Sequence, residues 1–250
     1  MRPILSIDDV IQILDSIIEE SLNTGDTLGY FAVLYQKVTL KVKEEIQNNY
    51  FDDGPRMEKL DVVFAKRYID AYFAWKNNKP VTQSWEIAFT EASNNNLLVV
   101  QHLLLGMNAH INLDLGIAAA ETSGSDNIDK LEDDFKRIND ILASMVDEVQ
   151  RGLSSIWPFL RKLLSWIGQV DNFLVDFSMK IARDGAWRFA QNIDAEERSD
   201  WPETIKVRDH KVADKTRLIN DPGKVIRFVF QLIRWSERGT VVDKIQKLRR

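Results

Sequence analysis

One apolar stretch constrains this chain more than any other feature. QHLLLGMNAHINLDLG, from Gln101 to Gly116, sets two of the three histidines, two asparagines and an aspartate among leucines. A buried amide, imidazole or carboxylate costs a few kcal/mol unless it is paired. A helix built from this string therefore needs apolar neighbours on several sides and partners for its polar groups. That requirement points to a helical bundle in which this segment is the central, buried member.

The remaining sequence has the same periodicity. Apolar residues recur at three- and four-residue intervals and strand alternation is scarce, which predicts an all-α fold, a single globular bundle of about eight to ten helices around that central buried helix. A first helix is expected from about Ile7 to Leu22, capped by Ser6, and a second from about Thr27 to Asn49. FDDGPR, Phe51 to Arg56, reads as a turn with Pro55 suited to a first helical position, leading into a third helix to Lys76. Asn77 to Pro80 stop it, and Thr82 or Ser84 can cap a helical region from Gln83 to Ala120, broken near Asn94 to Asn96. TSGSDN, Thr122 to Asn127, is a loop by composition.

Beyond that loop the pattern predicts a charged helix from about Ile128 to Gly152, a short Pro158 to Ile167 segment and a helix from Val170 to Gln191. Asp194 to Val212 is polar and poorly patterned, Asp221, Pro222 and Gly223 introduce a helix to about Glu237, and the basic tail reads as a solvated helix end. No linker demands a second domain, so residues 1–250 read as one helical domain with a polar segment at 194–220.

Composition narrows the function classes. A formal charge of −5 provides no global basic field for nucleic acid. No stretch approaches eighteen charge-free apolar residues, so no membrane span is expected. Cysteine is absent, which removes thiolate nucleophiles and cysteine-ligated zinc, and MRPILSIDDVIQIL lacks the pattern of a secretion signal, so a cytoplasmic location is expected. G-x-S-x-G, P-loop and dinucleotide fingerprints are missing as well.

Candidate chemistry concentrates on the opening string. At about 100° per residue, His110, Asp114 and Glu121 fall on one arc with Leu103, Met107 and Ile117 beside them and His102 at its edge. Asn108 and Asn112 project from the opposite side. A carboxylate one turn from an imidazole orients it for acid–base work. The same pair, with His102, could ligate one divalent metal ion, or the polar residues could form a structural network. A second His-x-x-x-Asp, His210 and Asp214, lies in a segment charged on nearly every side, as a solvated surface would be.

Other charges surround the FDDGPR turn. Asp53, Arg56, Asp61 and Arg67 are candidate substrate-binding groups, Arg67 and Asp70 are spaced for an ion pair, and either Arg56 or Arg67 could receive an anion if the turn closes over a pocket. Asp52 and Asp53, with Asp140, Ser144 and Glu148 further on, partly match the metal-binding acids of helical isoprenoid-diphosphate enzymes. Arg183 and Trp187 share a helix face suited to a cation–π pair, and Trp187 is a candidate pocket wall.

Several strings taken together, LGYFAVLY, FDDGPRMEKLDVVFAKRY, QHLLLGMNAHINLDLG and ARDGAWRFA, resemble a bacterial family of helical proteins known only as a domain of unknown function and marked by NAHINLDL. The likeness runs from about Gly29 to Ala190. It implies a helical fold and places His110, Asn112, Asp114, Asp53, Arg56, Asp61 and Arg67 in motif-bearing segments, without naming a reaction.

The function expected from these residues is a pocket at the central helix that binds or transforms a largely apolar small molecule. His110 would be the acid–base group or ligand, Asp114 its orienting carboxylate and Asn112 a hydrogen-bonder. The alternatives are an interaction or scaffold protein whose polar string only locks the fold, and a metal-dependent isoprenoid-diphosphate enzyme.

Overall fold

Local capping starts the helices where the sequence places them. The Ser6 hydroxyl accepts the Asp9 amide at 3.2 Å while the Asp9 carboxylate accepts the Ser6 amide at 3.1 Å, a reciprocal capping box that opens α1 (Ile7–Thr24). Its buried stripe, Val10, Leu14, Ile17 and Ile18, packs on α2 (Leu28–Gln47). In α3 (Gly54–Lys76) the Asp53 carboxylate accepts the Arg56 amide at 2.9 Å, and Pro55 sits in the first turn, where its missing N–H costs nothing. This computed structural model describes residues 3–124, 126–156, 179–220, 223, 230, 231, 233–235 and 237–250.

The helix α4 (Gln83–Glu91) is capped from outside. Neither Thr82 nor Ser84 caps it with its own side chain; the Asp209 carboxylate accepts the amides of Gln83 at 2.6 Å and Ser84 at 3.0 Å. A break at 92–98 follows, and then comes the central helix. It consists of α5 (Val99–Ala109), one π-helical turn (His110–Asp114) and α6 (Leu115–Ser123). The turn is widened because the Leu115 amide reaches back five residues to the His110 carbonyl. At the other end, Glu237 accepts the Val99 amide at 3.1 Å.

Surrounding helices complete the bundle. A 3₁₀ turn (Ile128–Leu131) leads into α7 (Glu132–Ile156), followed by α8 (Met179–Asp194), α9 (Trp201–Asn220) and α10 (Val241–Arg249). The central helix is in contact with α2, α3, α4, α8 and α9. Val99–Ser123 is long and apolar enough to cross a membrane by length and composition, yet 89 % of its most apolar window is buried by the other helices. Among the described residues there is no strand, and the architecture is the expected all-α single bundle around a central buried helix.

Two expectations about the C-terminal third are corrected. Much of the polar stretch 194–212 is the first part of α9, whose buried side is Trp201, Asp209, Val212, Ala213, Thr216 and Ile219. Two of those six positions are polar and find partners in the fold, so hydrophobic periodicity is blurred. The basic tail is also not merely solvated: Ile245 and Leu248 are buried, and Arg249 pairs with Asp15 at 2.7 Å and Glu19 at 2.6 Å on α1. The Pro158 to Ile167 segment, the start of the helix expected from Val170 and most of the one expected after Asp221 lie outside the described residues.

Two glycines let neighbours touch the central backbone. A Cβ on Gly106 would lie 2.6 Å from the Phe31 ring, and one on Gly116 would lie 2.7 Å from the Phe189 ring and 2.8 Å from the Ala186 carbonyl oxygen. At Gly116 the second obstacle is backbone and has little freedom to yield. Alanine would gain about 1 kcal/mol of helix propensity, but overpacking of this kind costs about 1–3 kcal/mol or more. Urea unfolding should therefore show Gly116→Ala destabilised. Gly185→Ala, whose Cβ would meet only the Arg208 guanidinium at 3.7 Å, should be stabilised by several tenths of a kcal/mol. The reverse ranking would disprove the packing argument.

Candidate functional site

The π-helical turn presents its polar side chains to different neighbours. Asp114 is 1 % exposed and fully engaged: it accepts the Trp85 indole N–H at 2.8 Å and the Arg67 Nε–H at 2.9 Å, and its Oδ2 lies 3.2 Å from His110 Nδ1. Burial pushes this carboxyl toward its neutral form, but Arg67, His110 and Trp85 outweigh that and hold it below the usual carboxylate range. Because Asp114 is ionised, His110 Nδ1 carries the hydrogen and Nε2 presents a lone pair. Arg67 also lies 3.8 Å from Glu121, so the third acid of the expected arc joins through the guanidinium.

The imidazole is locked in place by aromatic rings. It stacks on Phe64 with centroids 3.6 Å apart and planes within 6°, and Tyr35 meets it edge-on at 4.5 Å. Burial lowers its pKa, and the Asp114 hydrogen bond and charge do not restore it. His110 therefore stays neutral at physiological pH. Its Nε2 is buried without a hydrogen-bond partner among the described residues.

His110 lines an apolar cavity of about 260 Å³ bounded by α2, α3, the central helix, α7 and α8. Leu34, Leu60, Leu104, Met107 and Ile138 form much of the wall, and Asp61, His110 and Arg183 interrupt it. Asp61 lies on α3 with Oδ2 buried and unpartnered, and burial, reinforced by Glu58, pushes its pKa up to about 7. Arg183 on α8 gives one Nη2–H to the Phe135 carbonyl at 2.7 Å, while its Nε finds no partner among the described residues. With the Tyr35 hydroxyl, four residues lining one apolar cavity carry a buried polar atom without a partner among the described residues, which is uncommon, since buried polar groups are ordinarily paired.

The opposite face of the string is structural. Asn108 donates to the Val212 carbonyl at 2.9 Å and accepts from the Asn112 amide at 3.1 Å. Asn112 in turn accepts from Lys215 at 3.2 Å, and its carbonyl accepts from Arg208 at 2.9 Å. These bonds tie the central helix to α9, and Asn112 does not line the cavity that His110 lines.

Other predicted site residues are scattered. His102 lines a separate small cavity with Thr27 and Tyr68, so His102, His110 and Asp114 do not converge as one ligand set. Among the described residues no group of three or more His, Asp and Glu is arranged to hold a metal. Arg67 pairs with Asp114 rather than Asp70, which Lys66 takes. The Arg183 guanidinium lies over Phe135, 4.8 Å from its centroid, not over Trp187; Trp187 packs on the same Phe135 ring inside the core. His210 and Asp214 lie on α9, where His210 contacts Gln83 and Asp214 is exposed.

The FDDGPR turn is braced rather than open to an anion. Asp134 on α7, buried, accepts the amides of Asp52 at 2.8 Å and Asp53 at 3.0 Å, together with Arg56 at 3.2 Å and Arg137 at 3.0 Å. Asp52 adds a 2.7 Å bridge to Arg137. Sequence reading overlooked both Asp134 and Arg183 as cavity or brace residues. A signal existed for Asp134, which adjoins Phe135 on the apolar side of an otherwise charged turn.

An all-α bundle wrapped around one π-interrupted helix, with an apolar cavity studded by unpaired polar atoms, is the class of protein that this geometry defines. The chain belongs to DUF5995, a family of unknown function, whose model matches residues 7–222. The match extends beyond the stretch carrying the sequence resemblance and includes α9, the helix held by Asn108 and Asn112. No curated protein and no solved structure matches the chain.

Two substitutions separate support from site. Asp114→Ala leaves Arg67, Trp85 and His110 unpaired in the interior, so chemical unfolding should show a loss of about 3–5 kcal/mol. Asp61→Asn should do the opposite at high pH. A carboxyl raised from 3.8 to about 7 on folding contributes stability at low pH that is lost as pH rises from about 4 to 7, at a cost of the order of 4 kcal/mol. The amide removes that cost, so the variant should exceed wild type by up to this amount at pH 8 and by only about 1 kcal/mol at pH 4.5. An unchanged difference between the two pH values would refute the raised carboxyl.

Proposed function

We propose that the cavity binds a largely apolar small molecule and that His110 transfers a proton to or from it. The observation that carries this reading is the state of His110, a residue of the cavity wall whose Nε2 is buried and has no partner among the described residues, while Nδ1 is held by Asp114. A neutral imidazole with one nitrogen anchored by a carboxylate and the other left without a partner, beside an apolar cavity, is arranged as a general base. Asp61, on the same wall and with a raised pKa, supplies a neutral carboxyl as the complementary acid at and below neutral pH. Two titratable groups displaced in opposite directions are the usual mark of such a division of labour.

Size limits the ligand. A cavity of about 150 Å³ lined by aliphatic and aromatic side chains takes benzene, so about 260 Å³ accommodates roughly ten non-hydrogen atoms by the same scale. The wall contributes the affinity, at about 25 cal/mol per Å² of apolar surface removed from water, and the few polar atoms set orientation.

The apolar carbon acid 2-tetralone is of suitable size and serves as the probe. Deuterium exchange at its activated methylene, followed by NMR in D₂O, should be accelerated by wild type about 10²-fold or more relative to His110→Gln. The same variant should still bind the ketone in a saturable titration. Equal exchange rates for the two proteins would overturn the proton-transfer role, and absence of saturable binding to wild type would overturn the binding role.

A further inference from the structure

Arg183 is the least explained charge in the interior. It is 4 % exposed and lines the cavity, and among the described residues no carboxylate forms an ion pair with it. Among the described residues Phe135 supplies its only hydrogen-bond acceptor and also the ring beneath the guanidinium. Burial pushes its pKa down to about 9, with exposed Asp184 pulling weakly the other way, so the group is still a cation at neutral pH. A buried guanidinium without an anion is costly, whereas a paired one forms charge-assisted hydrogen bonds.

Building on the reading that the cavity binds a small molecule, we infer that its ligand is an amphipathic monocarboxylate of medium chain length, with the carboxylate on Arg183 and the apolar chain running along the cavity toward His110. Three features meet this chemistry. The wall is almost wholly aliphatic and aromatic, the Arg183 guanidinium on that wall has donors beyond the one given to Phe135 and no carboxylate partner among the described residues, and the volume matches a chain the size of octanoate. Arg56 and Arg67, the cations expected from sequence to receive an anion, are already engaged by Asp134 and Asp114. Among these three arginines Arg183 is therefore the one left for a ligand. Its place also orders the ligand: the head group lies against α7 and α8, while carbon atoms of the chain face His110 and Asp61 on the central helix and α3.

Isothermal titration of the full chain with octanoate and with 1-octanol tests the inference. Wild type should bind octanoate at least 10-fold more tightly than the alcohol. Arg183→Met, which replaces an unpaired buried charge with an apolar chain and so should fold, should lose at least 10-fold in octanoate affinity and keep its affinity for octanol. Arg183→Lys should recover part of the loss. Equal binding of the two ligands by wild type, or octanoate affinity unchanged in Arg183→Met, would overturn the carboxylate assignment while leaving an apolar binding cavity. Failure of wild type to bind either ligand would remove the cavity reading as well. The comparison of ligands on wild type decides the assignment even if a variant does not fold.

Discussion

The buried carboxylate of Asp114 is the interaction on which the centre of this bundle depends. Removing such a charge from water costs several kcal/mol, and attraction offsets the cost only when geometry and hydrogen bonding are good. Here three donors converge on it: Arg67 from α3, Trp85 from α4 and His110 from the central helix itself. The carboxylate thus fastens two helices to the π-helical turn and at the same time sets the tautomer of His110. Support of the fold and orientation of the candidate base are a single arrangement, so a substitution at Asp114 cannot alter one without the other.

The π-helical turn explains why the string serves two purposes. In an uninterrupted α-helix the side bearing Leu103, Met107 and His110 would continue through Asp114 to Ile117. The wider turn advances the register, so the cavity side continues through Ile111 to Leu115, while Ile117 packs instead with Phe189 and Trp201. Asp114 is thereby turned away from the cavity toward Arg67 and Trp85, and His110 remains on the wall. π-Bulges are often found at functional sites for this reason, since one extra residue re-aims the side chains beyond it.

Much of this was legible in local pattern. The helix count, the buried position of the central segment and the separation of His110 and Asp114 from Asn108 and Asn112 follow from a 3.6-residue period and the cost of burying polar groups. Partners were less legible. Arg67 has Asp70 one turn away, yet it reaches Asp114, 47 residues distant, because burial makes that carboxylate the stronger attractor. Asp134, Asp209 and Glu237 look like ordinary surface acids in sequence; each instead accepts backbone amides from a turn or helix start far along the chain. The apolar stripe of α9 was missed because Asp209 and Thr216 stand within it.

The sequence by itself determined an all-α chain, the identity of its central helix and the polarity of that helix on two sides, because helix formation and amphipathic burial are governed by residues within a few turns of one another. Only the tertiary structure decided which polar groups would be paired and which left without a partner beside a cavity. Asp61 and Arg183 resemble many other charges when read in line. Enclosure by leucine, methionine and aromatic side chains from α2, α3, α7 and the central helix removes their water without supplying partners for Asp61 Oδ2 and Arg183 Nε. Desolvation depends on everything that surrounds a group in space, and no local spacing encodes it.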